Sequence, residues 1–183
     1  DPATYLDDDA PIQTEVVRVL EQYCETSITH TGIDGCGAPT PVTTLAALAR
    51  GFGRLGRAVH DRNAELPAAM VARAMLDYPE AVQGQHRSDT VILESLELFT
   101  KTGADGIVAM AAPDGTAVAV SMIDSTHRAT HLVALVLLAQ YAPDAVALDA
   151  MSDVVEHIAP PIYGGNQRVG GIKLSPAVLK LLK

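Results

Sequence analysis

The chain has 183 residues, 48% of them hydrophobic and only 4% aromatic, so one domain with a sizeable core of Ala, Val, Leu and Ile is expected. Thirteen Lys and Arg against 22 Asp and Glu leave a net charge of −9, which argues against a nucleic-acid partner, because phosphate contacts need a basic stripe. The longest apolar run, residues 132–139, is far too short for a bilayer, and no basic cluster would hold an anionic membrane, so the sequence predicts a soluble protein.

An acidic lead-in with Asp7-Asp8-Asp9 precedes Pro11, where the first helix is expected to start. Ile12, Val16, Val19, Leu20 and Tyr23 recur on one face of it, with Cys24 on the same side. Residues 28–41, ITHTGIDGCGAPTP, are dense in Gly, Thr and Pro and read as a loop, the kind of segment a rigid scaffold aims at a ligand. A second helix follows Pro41, with Leu45, Leu48, Ala49, Phe52, Leu55 and Val59 at spacings of three and four. A third covers residues 66–78 and is closed by Pro79, and a short one covers residues 90–98.

Two small-residue strands, residues 106–112 and 116–122, are joined by Pro113-Asp114-Gly115, a turn in which proline presets one φ and glycine takes the positive one. Residues 128–141 form a helix apolar on most sides and therefore deeply buried. A further helix is expected over residues 144–157, a last strand over 168–174 and an apolar tail after Pro176. The order predicts an α+β chain with an antiparallel sheet and helices packed on it. Three strands and about six helices leave more apolar helix surface than the sheet covers, which suggests that part of the fold lies outside this sequence.

Two cysteines without a framework pattern fit a reducing compartment, and hence a cytoplasmic protein. Cys24 falls on the apolar side of its helix. Cys36 sits in Asp34-Gly35-Cys36-Gly37, where a thiol is exposed and could be a plain loop cysteine or, with partners from elsewhere, a zinc ligand. No G-x-S-x-G, H-E-x-x-H, phosphate-binding glycine loop or S-x-x-K is present.

Lys101-Thr102-Gly103 stands at the head of the hairpin. A lysine there is either a solvated strand-edge residue or the ammonium of the K-T-G found beside the nucleophile in serine acyl-transfer enzymes. Ser88-Asp89 lacks the asparagine of S-D-N, and capping of a helix by Asp89 or Thr90 is the better account. His127 and His131 are four apart and share a helical face, but nothing nearby supplies a third metal ligand, which favours surface or capping roles.

GIDGCGAPTPVTTLAALARGFGRL, HRSDT, FTKTGADGIVAMA, SMIDSTHRATHLVALVLL and RVGGIKLSP occur in this order. Together they resemble the rhizobial-type L-asparaginase II family, over nearly the whole chain from YLDDDAPIQ onward. The resemblance implies a serine β-lactamase-like fold and hydrolysis of L-asparagine to L-aspartate and ammonia by a serine nucleophile with paired lysines. It implies Lys101 as the catalytic strand lysine, with Asp34, Gly35, Arg87, Thr102 and Gly103 at the substrate. No cofactor is implied as required, although in some members the cysteine matching Cys36 ligates zinc. Asp124 and Arg128 match an I-D/E-D-G-x-x-R segment, with two departures: Ser121 replaces a common lysine and Ser125 breaks the usual D-G.

The family's S-x-x-K and second serine belong to an N-terminal half that is not in this sequence. Residues 1–183 are therefore read as the C-terminal portion of such a domain, inactive alone and completed by the missing N-terminal segment or by a homo-oligomeric contact. A non-catalytic member that binds a small amino acid or serves as a scaffold is the alternative. A penicillin-recognising hydrolase is suggested by K-T-G alone and opposed by the D-G-C loop.

Overall fold

The structure, a computed structural model, describes residues 3–146 and 148–181. Helix α1 (Pro11–Cys24) starts at its proline and stops where Glu25 turns left-handed at φ 49°. The segment read as loop contains a small hairpin, β1 (Thr31–Ile33) with β2 (Pro39–Pro41). Helix α2 (Leu45–Ala58) is capped by Thr44, whose side chain accepts from the Ala47 N–H. Then come α3 (Leu66–Asp77), α4 (Pro79–Gln83) and α5 (Ser88–Leu96). Pro79 both closes α3, as its missing N–H requires, and opens α4 at the position a helix tolerates.

Strands β3 (Phe99–Thr102), β4 (Ile107–Ala111) and β5 (Ala117–Ser121) form an antiparallel sheet in chain order. Beyond it lie α6 (Thr130–Tyr141), a 3-10 turn at Pro143–Ala145, and α7 (Leu148–Ile158). A separate hairpin, β6 (Ile162–Gly164) with β7 (Gln167–Gly170), and helix α8 (Pro176–Leu181) follow. Of the expected elements, Ala147 in the helix over residues 144–157 and the last two residues of the apolar tail lie outside the described residues. The architecture is α+β. Among the described residues no helix is long and apolar enough to cross a membrane.

Lys101 does not stand at the head of the two-stranded hairpin. It belongs to a third strand, β3, at the sheet edge, paired with Ala109 of β4. The central β4 is buried on both faces. Val108 and Met110 join Ile92 and Leu96 of α5 and Leu132, Leu135 and Leu138 of α6 in the larger core. Ala111 and Phe99 pack with Phe52 and Leu55 of α2 in a smaller one. Leu135 and Leu138 are fully buried, each contributing about 2 kcal/mol of transfer free energy. That explains why α6 reads as apolar on most sides.

Helix α2 is oriented differently from its periodicity. The buried residues are the small ones, Ala47, Gly51, Gly53, Gly56 and Ala58. At Gly53 an added Cβ would lie 2.4 Å from the Gly115 carbonyl oxygen, and at Gly56 2.9 Å from Ala111 Cβ. The helix thus lies against β4 and β5 with its backbone almost touching the hairpin, a distance that only glycine permits. Its large apolar residues Leu48, Phe52 and Leu55 are only half-buried and line a groove between α1, α2 and α3. Arg54 ties α1 to α2, donating to the Gln22 carbonyl at 2.6 Å with its guanidinium over the Tyr23 ring.

Candidate active site

Strand β3 divides the candidate residues between its two faces, because successive side chains of a strand point opposite ways. Phe99 and Lys101 face the α2–α3 side, and Thr100 and Thr102 face α5 and α6. Lys101 is half-buried and lines an open groove of about 550 Å³ whose other walls are apolar, including Phe52, Leu55, Met75, Tyr78 and Phe99. Its Nζ donates to the Thr102 carbonyl at 2.6 Å. The ammonium is therefore held on the strand edge, in a setting where few competing dipoles screen it.

Behind the strand lies a buried polar cluster centred on Asp89, which has no exposed surface. Its Oδ2 accepts from the Thr102 N–H at 2.7 Å. Its Oδ1 accepts from Thr102 Oγ1 at 3.0 Å, from His131 Nε2 at 2.9 Å and from Thr100 Oγ1 at 3.4 Å. Burial pushes this carboxyl up, but the hydrogen bonds from His131 and from Thr102 together outweigh burial and hold it below the usual carboxylate range. A carboxylate only accepts, so Nε2 of His131 carries the proton, and Thr102 Oγ1 lies 2.9 Å from the same nitrogen. One acid on α5 thus fastens both the backbone and the side chain of the residue next to Lys101.

Asp89 is not a helix cap. The N-cap position of α5 is Arg87, which makes no side-chain cap, and Asp89 is turned inward to the strand. Thr90 donates within reach of both the Pro79 and Gly84 carbonyls, at 3.2 and 2.7 Å, and locks the α4–α5 turn. His131 is likewise no surface residue, being 4% exposed. The sequence signal for this pair was Thr130-His131 opening an otherwise apolar buried helix, since a buried polar side chain needs a partner.

Asp34, Gly35 and Cys36 occupy the tip of the β1–β2 hairpin, all exposed. Asp34 Oδ1 accepts from the N–H groups of Cys36 at 2.7 Å and Ala38 at 3.1 Å, so this carboxylate shapes the loop. Cys24 is buried, and burial pushes its thiol up. Among the described residues no three His, Cys, Asp or Glu side chains come together to hold a metal ion. Cys36 therefore has no zinc-ligand set around it among the described residues. Arg87 is exposed and shares a polar pocket with Thr102, on the face of β3 opposite Lys101. At Gly103 an added Cβ would make ordinary contact with Ile107 at 3.5 Å, so this position is sterically permissive.

The sequence profile of the L-asparaginase II family matches residues 1–174. Among curated proteins no match is found.

Proposed function

From the chain's membership of the L-asparaginase II family, an asparaginase-like amidohydrolase family to which it belongs, we propose that it supplies the strand lysine of a composite site hydrolysing L-asparagine to L-aspartate and ammonia. The observation that carries the reading is Lys101 on an edge strand, lining an open groove, with its neighbour Thr102 fastened from behind by Asp89. In this reading residues 1–183 are the C-terminal portion of a serine β-lactamase-like domain, and the serine and the second lysine come from sequence outside them. The three-stranded sheet with α2 on one face and α6 on the other is in keeping with that fold.

The serine oxygen adds to the carboxamide carbon, ammonia leaves with the proton taken from the serine, and an aspartyl ester forms. Water then hydrolyses the ester, returning the proton to the serine. Lys101 has two parts in this sequence. Its ammonium stabilises the negative charge that builds on the carboxamide oxygen, and its N–H groups orient the substrate carboxylate. Apolar walls strengthen both effects by excluding water. Gly103, Asp34 and Gly35 complete the substrate-binding set of this proposal, since Arg87 and the Thr102 side chain lie on the other face of β3, and the two free cysteines support a cytoplasmic location.

The test is ammonia release from L-asparagine by the serine-bearing parent chain, with L-aspartate formed in equal amount. The 183-residue chain alone is expected to release none. A parent chain that folds, binds L-asparagine and releases no ammonia would instead establish the non-catalytic binder, for which the exposed Ser121 in place of the common lysine is the supporting feature.

A further inference from the structure

We propose that the polar pocket at the α4–α5 turn is a second ligand site, one that takes a small dicarboxylate. Its volume is about 360 Å³, within the range of small-molecule sites. Its walls come from four parts of the fold, Thr102 of β3 among them. His86, Arg87 and Ser88 lie on the α4–α5 turn and the start of α5, His127 and His131 lie before and on α6, and His157 lies on α7.

Four of the chain's six histidines and an arginine thus face one cavity, and no Asp or Glu lines it. In a chain of 22 acids against 13 bases, that is the reverse of the average surface. The carboxylate beneath it, Asp89, spends its oxygens on Thr102 and His131 and does not line the cavity.

The polar groups are also pre-arranged. His157 Nε2 donates to the His86 carbonyl at 2.8 Å, which ties α7 to the turn and closes one wall. Gln83 commits its side-chain oxygen to the Asp89 N–H at 2.8 Å, so what it can offer a ligand is its NH2. His86 holds a left-handed backbone at φ 57°, a conformation that a non-glycine residue adopts at a cost.

The ligand class follows from this layout. A single phosphate is best held by donors converging on one point, as in a nest of backbone N–H groups. Here Arg87 stands on the α4–α5 turn and His127 before α6, on separate parts of the fold. Donors on separate parts of the fold suit an anion with a carboxylate at each end. Arg87 offers the planar fork that pairs with one carboxylate, and His127 with the Gln83 NH2 meets the other.

The site is separate from the Lys101 groove, which opens on the opposite face of β3, and its occupancy does not depend on whether the protein hydrolyses asparagine. Calorimetric titration of the 183-residue chain with succinate tests it, with L-aspartate, inorganic phosphate and neutral succinamide as companions. Saturable binding of succinate and L-aspartate is expected, at least about tenfold tighter than that of phosphate or succinamide.

The double variant His127→Gln/His157→Gln should weaken succinate binding about tenfold or more with an unchanged far-UV spectrum. If that variant unfolds, His127→Gln alone, at an exposed position, should still weaken it severalfold. Lys101→Ala should leave binding intact. No saturable binding of a dicarboxylate, equal binding of succinamide, or binding that survives the histidine variants and disappears in Lys101→Ala would each overturn the proposal.

Discussion

Ser125 carries a left-handed backbone, φ 58°, at the position where the family pattern has glycine. It sits in the Asp124 turn, whose Oδ1 accepts from the Thr126 N–H at 3.2 Å, and it closes against Gly106 so tightly that a Cβ there would lie 2.9 Å from Ser125 C. A serine in this conformation costs about 1 kcal/mol relative to glycine. Ser125→Gly is therefore expected to stabilise the chain by up to about that amount, read as a higher denaturation midpoint at unchanged slope. An unchanged or lower midpoint would mean that the turn does not strain the serine.

Asp89 makes a second prediction at this scale. Its folded pKa lies below the ordinary carboxylate value, so the stability it contributes is present at neutral pH and is lost as pH falls below about 4. Urea midpoints measured from pH 7 down to pH 2.5 should drop in that acid range for the wild type. In Asp89→Asn that part of the drop should be missing and stability at pH 7 should be lower by about 3 kcal/mol, since a buried pair loses one partner. Equal acid slopes in the two proteins would show that Asp89 is not the group.

The hairpin after Lys101 was legible in the sequence, because Pro113-Asp114-Gly115 between apolar runs marks a turn. The Asp89–His131 contact was not. It joins residues 42 positions apart, and each has a local excuse, capping for one and surface for the other. Only the register of β3 against α5 and α6 brings them together.

Helix α2 shows the same limit for elements. The existence and ends of α1, α2, α3 and α6 follow from periodicity, prolines and the Thr44 cap. Periodicity assumes that the large residues mark the core, however, and in α2 the glycines do. A stripe of small residues packs more closely than leucine can, and nothing in a single sequence distinguishes that stripe from a weak helix. The short hairpin of β1 and β2 was hidden for a related reason, as three-residue strands of Thr, Gly and Pro carry no alternation.

Gly53→Ala tests the close approach. A methyl at 2.4 Å from a carbonyl oxygen of the hairpin turn cannot be relieved by a side-chain rotation. The expected cost is about 1–3 kcal/mol, the range of core overpacking, even though alanine is the better helix former. A stabilised Gly53→Ala would place α2 farther from the sheet than described.

On the scale of the whole molecule, the rotation of α2 leaves an apolar face uncovered. A groove of about 440 Å³ runs between α1, α2 and α3, and the Lys101 groove lies farther along α2 and α3. Val71, which lines both grooves, is 55% exposed, and Tyr78 is 62% exposed. At about 25 cal/mol per Å², such a face favours a cover. The 183-residue chain should sediment as more than a monomer, or else bind a hydrophobic dye that Val71→Lys binds less. A compact monomer without dye binding would mean that the face needs no cover.

The central claim is that Lys101, on the strand edge, is the group through which this chain takes part in amide hydrolysis. The most direct measurement is kcat for L-asparagine in the serine-bearing parent chain with Lys101→Ala, alongside a urea titration of the same variant. A fall of about 10²-fold or more in kcat with an unshifted midpoint is the predicted result. An undiminished kcat in the folded variant would contradict the account and return Lys101 to the solvated residues of the strand edge.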